Sequence, residues 1–478
     1  MGDSKIKSFS RKEVILVPVP KMEFRIQGFY MKEVKLFNSL GMKMETFTPL
    51  VPNKVSIYCC GPTVYNDPHI GNFRPVITFD ILRRLLMHIG YQVTFVSNYT
   101  DVEDKIIKRA KELGITEKEL TRSVIKEYRR LVEEVGALQP DYTPTPTVYM
   151  PQIISYVEDL VKTGYAYVSD GDVYLSVKKI PNYGELSGNS IEDLENGARI
   201  AVGDKKKDPV DFALWKKTDE GIQWDTLWSK GRPGWHTECC VMIHTLFPEQ
   251  KGYIDIHGGG FDLKFPHHEN EMAQAKAHDG HKLAHFWMHN GFININNEKM
   301  SKSLGNVILM KDVVKEYGGI PFRLMLLASH YRAPASFSAD TIKEAQTKYS
   351  QIETAMKKVA ILLERKDIDI DSLKPSDETK FLDALCDDLN TPNALSVLYE
   401  EVKTLNSLWR VKEINYEALS DSFAKVRSYC DVLGLTLHIP HLNLEDKKLY
   451  EEYDIAKKNK DFAKSDEIRQ TLLSKNLF

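Results

Sequence analysis

A short segment that combines two lysines with small hydroxyl residues is the most specific chemical signal in the sequence. It reads Lys299-Met300-Ser301-Lys302-Ser303. Such a loop can close over a polyphosphate, because each ammonium group donates charge-assisted hydrogen bonds to phosphate oxygens. A basic surface loop would have the same composition, so the pentapeptide alone leaves both interpretations open.

A second segment, Pro68-His69-Ile70-Gly71-Asn72, lies more than 200 residues earlier in the chain. It follows residues 54–58, whose alternating apolar and polar side chains predict a strand. Apolar residues at helical spacing predict a helix over 76–89, and strand character returns at 91–96. The segment therefore lies at the mouth of a predicted βαβ unit. Neither this segment nor the lysine segment alone would indicate an enzyme site, but the two together do.

The two segments resemble the H-I-G-H and K-M-S-K-S signatures of the class I aminoacyl-tRNA synthetases. Within that class the chain is similar to the cysteinyl-tRNA synthetases, and the similarity runs from about Lys35 to the last residue. One signature position differs: Asn72 stands where H-I-G-H has histidine, and its amide can donate a hydrogen bond to phosphate but carries no charge. The segments most similar to that family are residues 58–65, 98–101, 231–239, 255–263 and 266–271.

The resemblance implies ligation of cysteine to tRNA(Cys) in two steps. The carboxylate of L-cysteine attacks the α-phosphate of ATP, giving cysteinyl-adenylate and pyrophosphate, and the cysteinyl group is then transferred to the terminal ribose of the tRNA. Catalysis would rest on positioning and on electrostatic stabilisation, with Mg²⁺ on the phosphates. The catalytic residues implied are His69, Asn72, Lys299 and Lys302.

The resemblance also implies binding residues for both substrates. The glycine-rich segment would bring backbone close to the adenosine, although a plain tight turn would explain the same glycines. For the amino acid, the implied residues are Gly61, Thr100 and Trp235. For ATP they are His69, Gly71, Asn72, His257, Gly258, Gly259, Gly260, Asp262 and Lys302.

Four side chains form a candidate metal site. His267 and Glu271 stand at i and i+4 behind Pro266, a favoured first residue of a helix, so both project from one helix face. Cys60 and Cys239 add two thiolates, and a set of two sulfurs, one imidazole and one carboxylate favours Zn²⁺. The resemblance assigns the same four as zinc ligands. Taken singly, each cysteine could instead be a buried structural thiol, and His267 or Glu271 could cap a helix.

The remaining cysteines and one histidine are assigned no ligand role. Cys59 and Cys240 each lie one residue from a proposed ligand, and on an extended segment this turns the side chain to the other face. We expect both to be core cysteines, and His268 to lie behind the ligands or in solvent. Cys386 and Cys430 occur in helical segments, where small buried apolar residues are the default.

A zinc ion would answer a problem of specificity. Serine has nearly the shape of cysteine, and ordinary pocket contacts discriminate by only about 10²-fold between substrates that differ in one small group. A bound Zn²⁺ takes the substrate sulfur as a thiolate at about 2.3 Å, whereas a serine hydroxyl is a much poorer ligand.

Length and composition set the architecture. The chain has 478 residues, of which 42% are hydrophobic and 27% charged, with a net charge of −3. Such a chain is typical of about three globular domains and excludes a disordered or fibrous protein. Neither a run of about 20 apolar residues nor a secretory signal is present, so we expect a cytoplasmic monomer that does not enter membranes. The six cysteines suit reduced thiols or metal ligands better than disulfides.

The predicted fold class is α/β: a Rossmann-like catalytic domain, interrupted by an insertion and followed by helices. The expected parts are an N-terminal extension (1–34), the first catalytic half (35–139), the inserted subdomain (140–232), the second catalytic half (233–295), a linking segment with the K-M-S-K-S loop (296–339), a helical bundle (340–436) and a small C-terminal module near the anticodon (437–478).

Two other functions would share part of this sequence pattern. A cysteine ligase that transfers to an amino sugar would resemble the front half, but about 140 further residues follow here. A zinc-stabilised RNA-binding protein without catalysis would not need the intact Lys299–Ser303 segment.

Overall fold

The computed structural model describes residues 32–192, 194, 205–296, 298–300 and 305–478. Most of the predicted N-terminal extension lies outside these residues, as do Lys302 and the side chain of Lys299. Among the described residues, none of the helices combines the length and apolar character needed to span a bilayer.

The first part of the chain contains the predicted βαβ unit. A two-stranded ribbon of β1 (Lys35–Asn38) and β2 (Lys43–Thr46) precedes β3 (Lys54–Cys59), α1 (Phe73–His88) and β4 (Gln92–Ser97). Strands β3 and β4 pair in parallel, from Lys54 opposite Gln92 to Cys59 opposite Ser97. The helix begins three residues before the predicted start, because a 3₁₀ turn over Ile70–Asn72 leads directly into it. Helices α2 (Asp104–Leu113) and α3 (Glu117–Glu134) follow.

Among its described residues, the predicted insertion contains helix α4 (Met150–Lys162) and an antiparallel sheet. This helix is followed by β5 (Ala166–Ser169), β6 (Asp172–Leu175), β7 (Phe212–Lys217), β8 (Trp224–Asp225) and β9 (Lys230–Pro233), paired in the order β5-β6-β7-β9-β8. Its buried Leu214 and Trp215 share a hydrophobic core with Cys239 and Cys240. The insertion therefore packs directly behind the candidate metal ligands.

The second half of the α/β unit completes the central sheet. Its elements are α5 (Glu238–Leu246), β10 (Ile254–Gly260), α6 (Glu269–His278) and β11 (Ala284–Asn290). The sheet order is β11-β10-β3-β4, and all its pairings are parallel. In such sheets ligands bind beyond the carboxyl ends of the strands, and β3 and β10 both end at the candidate site.

A small second sheet joins the two signature segments. It contains β12 (Ile293–Ile295), β13 (Glu298–Lys299) and β14 (Ala335–Phe337), with α7 (Met310–Tyr317) and α8 (Gly319–Leu327) between the last two. The backbone N–H of Ile70 donates to the carbonyl of Ile308 at 3.0 Å, and the N–H of Met310 donates to that of Pro68 at 2.9 Å. The chain just after the lysine segment is thus fixed to the histidine segment.

Helices form the rest of the chain. A bundle contains α9 (Ala339–Glu364), α10 (Thr379–Cys386), α11 (Thr391–Trp409) and α12 (Tyr416–Val432), and a terminal pair contains α13 (Leu444–Lys458) and α14 (Phe462–Ser474). A small separate core joins the terminal pair to the bundle. In it Tyr450, Ile468 and Leu472 pack with Ile361 of the bundle.

Candidate metal and substrate site

Three separate parts of the fold bring the four predicted ligands together. Cys60 follows β3 directly, and its backbone N–H donates to the carbonyl of Gly258 on β10 at 3.0 Å. Cys239 lies in the first turn of α5. Glu271 lies in the first turn of α6, while His267 occupies a π-helical turn that precedes this helix. The i and i+4 relationship holds, although the regular α-helix begins at Glu269 rather than near Pro266.

The donor atoms of the four residues converge within 4.8 Å of one another. The two sulfur atoms lie 3.8 Å apart, and Cys60 Sγ lies 3.7 Å from Glu271 Oε1. Cys239 Sγ lies 3.9 Å from His267 Nε2, and that nitrogen lies 2.8 Å from Glu271 Oε1. Two sulfurs at about 2.3 Å from a tetrahedral zinc ion would be about 3.8 Å apart, so this donor set fits zinc.

The buried cluster combines negative groups with a histidine that holds its proton, and a metal ion would displace that proton when it binds. The hydrogen bond with Cys60 lowers the pKa of the Cys239 thiol to about 6, although burial opposes this shift. Burial raises the pKa of the Cys60 thiol well above its ordinary value. Burial disfavours a proton on His267, but Glu271 and Cys239 outweigh it and raise the pKa to about 10. Burial alone would raise the pKa of Glu271, but His267 and His257 hold it well below its ordinary range.

A second row of histidines supports the cluster from behind, and sequence reasoning missed its role. His257 contacts Glu271 Oε2 through Nε2 and the carbonyl of Tyr58 through Nδ1, the latter at 3.0 Å. His268 Nε2 lies 3.3 Å from Cys60 Sγ, and its Nδ1 lies 2.8 Å from Nε2 of His289. His268 is therefore buried behind Cys60, one of the two positions expected for it. The spacing along the sequence contains no signal for this network, because it joins β10, β11 and the turn before α6.

The same histidines form an alternative donor set. Cys60, His257, His268 and Glu271 also place one donor atom each within 4.8 Å of the others. The two donor sets differ in which of their residues face the cavity. A cavity of about 460 Å³ is lined by Cys60, Cys239 and His267, whereas neither His257 nor His268 is among its lining residues. A metal that must meet a substrate therefore fits the set with two cysteines.

The same cavity contains the residues predicted to bind the amino acid. Gly61 donates its backbone N–H to Asn98 Oδ1 at 2.9 Å, and a Cβ at Gly61 would stand 1.6 Å from the Asn98 carbonyl oxygen. The Thr100 hydroxyl donates to Glu238 Oε2 at 3.3 Å. Trp235 is 41% exposed and stacks on the His267 ring with 4.4 Å between centroids. The cavity thus has a partly open aromatic wall directly beside a candidate ligand.

Glu238 and Asn98 are polar residues at this site for which the sequence suggested no role. Glu238 is fully buried next to Cys239, and burial raises the pKa of its carboxyl group well above the ordinary value. Asn98 Oδ1 lies 3.8 Å from Cys239 Sγ and Asn98 Nδ2 donates to Thr100 Oγ1 at 3.2 Å. Both belong to segments similar to the family, 98–101 and 231–239, which was the available signal.

The predicted nucleotide residues are only partly brought together. His69, Gly71, Asn72, Gly260 and Asp262 line the cavity. The Asn72 side-chain oxygen accepts the backbone N–H of His69 at 3.0 Å, which closes the turn before α1. A Cβ at Gly71 would stand 2.8 Å from the Met300 side chain, so this glycine allows the two signature segments to approach.

His257, Gly258 and Gly259 do not line the cavity, although Gly260, the last residue of the same strand β10, does. A Cβ at Gly258 would stand 2.2 Å from the Phe79 ring, and one at Gly259 would stand 2.9 Å from the Leu263 side chain. Packing requires these two glycines within a strand, so the alternative of a plain tight turn is wrong.

Lys302 and the Lys299 side chain lie outside the described residues. The adjacent cysteines behave as expected: Cys59 and Cys240 are buried, and the six cysteines are all free thiols. Cys240 lies on helix α5 rather than on an extended segment, and its sulfur lies 3.2 Å from the Tyr156 hydroxyl.

Solved structures share this fold. The chain is similar to methionyl-tRNA synthetase of Mycobacterium tuberculosis in complex with methionyl-adenylate, with a TM-score of 0.58 and 15% identity over 80% of this chain and 90% of the other. The chain is also similar to leucyl-tRNA synthetase of Agrobacterium radiobacter, with a TM-score of 0.58 and 11% identity over 81% of this chain and 85% of the other. A model of the class I (C) tRNA synthetase catalytic domain matches residues 46–347, and a DALR domain model matches residues 380–438. Fold and domains together define a class I aminoacyl-tRNA synthetase.

Curated relatives identify the family within that class. The chain is 43% identical to the cysteine–tRNA ligase of Bacillus pumilus over 93% of its own length and 96% of the relative. It is also 43% identical to the cysteine–tRNA ligases of Geobacillus thermodenitrificans, over 94% and 97% of the two chains, and Staphylococcus aureus, over 93% and 97%. The chain belongs to the cysteine–tRNA ligase family.

Proposed function

We propose that this cysteine–tRNA ligase holds one zinc ion on Cys60, Cys239, His267 and Glu271 and selects its amino acid there by the sulfur atom. The observation that carries the proposal is the pair of thiols 3.8 Å apart at the inner end of the cavity. The low pKa of Cys239, about 6, favours the thiolate that a metal requires.

When bound, zinc would take the substrate sulfur as a thiolate, for which a serine hydroxyl is a much weaker competitor. The chain's own residues provide the surroundings. Burial of all four ligands excludes water, and His257 orients the Glu271 carboxylate through Oε2. Shape alone would supply only about 10²-fold discrimination. Zinc selection therefore accounts for specificity that the cavity walls do not provide.

The body of the amino acid would lie between Trp235 and the Gly61–Thr100 side of the cavity. Trp235 supplies an apolar wall fixed by its stacking on His267. Thr100 is held by Glu238 and Asn98. In this position the substrate carboxylate would face the end of the cavity lined by His69 and Asn72, where it would meet the α-phosphate of ATP.

His69, Gly71, Asn72, Gly260 and Asp262 line the part of the cavity that we assign to ATP. His69 and the Asn72 amide would donate to phosphate oxygens, while Lys299 and Lys302 would neutralise the charge of the leaving pyrophosphate, with Mg²⁺ on the phosphates. Attack of the cysteine carboxylate on the α-phosphorus forms cysteinyl-adenylate and releases pyrophosphate. The tRNA 3′ hydroxyl then takes the cysteinyl group and AMP leaves.

The helical parts of the chain would bind the tRNA. Residues 340–436 and the terminal module 437–478 follow the catalytic part, as the predicted division of the chain requires. Tyr450, Ile468 and Leu472 give the terminal pair a core against the bundle, which supports a fixed orientation of this module. We propose that the enzyme acts on tRNA(Cys) as a cytoplasmic monomer.

One assay tests the proposal. Cysteine-dependent exchange of labelled pyrophosphate into ATP measures adenylate formation, and labelled cysteine then reports transfer to tRNA. We expect exchange and transfer with cysteine, and exchange with serine weaker by more than the factor of about 10² that shape alone supplies. Discrimination of about 10²-fold or less would contradict selection at the metal. Transfer to an amino sugar instead of tRNA would favour the other ligase reaction.

A further inference from the structure

A second cluster of metal-binding side chains lies at the far ends of the two helices that carry Cys239 and Glu271. His244 lies in the last turn of α5, His278 is the last residue of α6, and Asp279 follows it. One donor atom from each residue lies within 4.8 Å of the others. We propose that this group, the His244 cluster, binds a borderline divalent transition-metal ion such as Zn²⁺, separately from the substrate site.

The donor spacing supports a metal. His244 Nδ1 lies 3.2 Å from Asp279 Oδ1, and His278 Nδ1 lies 2.8 Å from the same oxygen. Nitrogen and oxygen ligands at about 2.0–2.2 Å from a tetrahedral zinc ion would be about 3.3 Å apart. The separation of His244 from Asp279 therefore already matches one edge of such a site.

Two donor atoms of the cluster are shielded from solvent and unsatisfied. His244 Nδ1 forms no hydrogen bond with any described residue, despite its proximity to Asp279, and neither does Asp279 Oδ2. A buried polar atom without a partner destabilises the folded state. A cation between the two residues would satisfy both atoms, and the proton that His278 shares with Asp279 would leave to solvent.

Packing fixes the orientation of both imidazole rings. Tyr156 stacks on His278 with 3.9 Å between ring centroids and contacts His244 edge-on at 6.0 Å. The Tyr156 hydroxyl is itself held 3.2 Å from Cys240 Sγ. On the other side of His278, Nε2 lies 3.8 Å from a carboxylate oxygen of Asp159. A carboxylate near the second nitrogen of a metal-binding histidine is a common feature of protein metal sites.

The ligand set indicates the kind of ion. Two imidazoles and a carboxylate suit zinc and its neighbours rather than Ca²⁺ or Mg²⁺. The side chains of His244, His278 and Asp279 are 37%, 18% and 9% exposed, which leaves a fourth position open to water. The ion would join the ends of α5 and α6, and these helices begin at the substrate site.

The proposal is tested by counting metal in the full-length enzyme. After dialysis against buffered micromolar Zn²⁺, mass spectrometry should find two zinc equivalents per chain in the unmodified protein and one in His244→Gln or Asp279→Asn. The control His281→Gln alters a histidine just beyond α6 that contacts the carbonyl of Lys251, and it should keep both equivalents. Cys239→Ser should lose the other equivalent, so the two sites are scored independently.

Cobalt gives a second readout. Co²⁺ in the substrate site should show thiolate charge-transfer absorption, whereas Co²⁺ in the His244 cluster should add only weak ligand-field bands, which disappear in His244→Gln. Pyrophosphate exchange should be unchanged in that variant, which also shows that it folds. A single zinc equivalent in the unmodified protein that Cys239→Ser loses and His244→Gln keeps, or a second equivalent retained by both His244→Gln and Asp279→Asn, would overturn the proposal.

Discussion

The sulfur atoms of Cys60 and Cys239 lie 3.8 Å apart, although 179 positions separate the two residues along the chain. One follows a central strand and the other begins a helix behind the inserted sheet. The protein therefore forms its candidate metal site by bringing together both halves of the catalytic unit. A substitution that removes either sulfur atom should therefore impair recognition of cysteine far more than recognition of ATP.

Cys239→Ser is expected to abolish stoichiometric zinc binding at the substrate site and to raise the KM for cysteine far more than that for ATP. A hydroxyl cannot replace the thiolate, and the affected position lies at the end of the cavity that we assign to the amino acid. Zinc content and pyrophosphate exchange at varied cysteine and ATP measure the two effects.

Cys240→Ser is the matched control, because Cys240 is the next residue, is also buried, and contacts the Tyr156 hydroxyl and the backbone carbonyl of Glu271 but none of the proposed donor atoms. It should retain zinc at the substrate site and the normal KM for cysteine. If Cys239→Ser kept its zinc while Cys240→Ser lost it, the assignment of ligands would be wrong.

His257→Gln should weaken zinc binding by about 10–100-fold, since residues that orient a metal ligand contribute this much in other sites. His257 is fully buried and contacts Glu271 Oε2, the carboxylate oxygen turned away from the cysteines. Competition with a chromophoric chelator measures the affinity. If His257 instead contacted ATP, as first predicted, the variant would raise the KM for ATP and leave zinc affinity unchanged.

The candidate ligands could be predicted because each belongs to a short segment whose chemistry is evident from residue type. The role of His257 could not be predicted, because the alternation of side chains along a strand does not reveal which residues pack on each face. Strand β10 was also not evident from the sequence, because three of its residues are glycines. Glycine is depleted in strands, and here pairing with β3 and β11 outweighs the local preference. The βαβ unit was evident because its apolar periodicity is strong.

Asn72→Asp should slow adenylate formation by at least about 10-fold without unfolding the turn before α1. Aspartate keeps the oxygen that accepts the His69 N–H. It removes the amide donor and adds a negative charge near the phosphates, which costs transition-state stabilisation. Asn72→Ala, in contrast, should lose both the turn and the donor. Pyrophosphate exchange and thermal unfolding distinguish the two, and a normal exchange rate in both variants would remove Asn72 from the catalytic set.

A buried ion pair joins α1 to α8, and its arginine also bonds to the end of the helical bundle, so its loss should destabilise the protein. Asp80 on α1 accepts from Arg323 on α8 and from Arg84, whose Nε lies 2.9 Å away. Arg323 is fully buried and also donates to the carbonyl of Leu433 at 2.6 Å, just beyond α12. Because Asp80→Asn leaves the Arg323 charge without a buried counter-charge, we expect a loss of about 3–5 kcal/mol in the free energy of unfolding.

The same pair gives a pH dependence with a defined sign. Burial would raise the pKa of the Asp80 carboxyl, but Arg323 and Arg84 outweigh burial and hold it below the ordinary value. The stabilisation is therefore fully present above the unfolded-state pKa of about 3.9 and is lost as the pH falls through the lower folded value. Urea titrations should show that the free energy of unfolding differs between the unmodified protein and Asp80→Asn by a constant amount from about pH 5 to pH 8. This difference should shrink below about pH 4.

Glu112→Gln is the control, because it removes a surface pair with Arg109 at 3.1 Å. It should lower the free energy of unfolding by less than about 1 kcal/mol. A similar small loss in Asp80→Asn would show that the pair does not stabilise the junction.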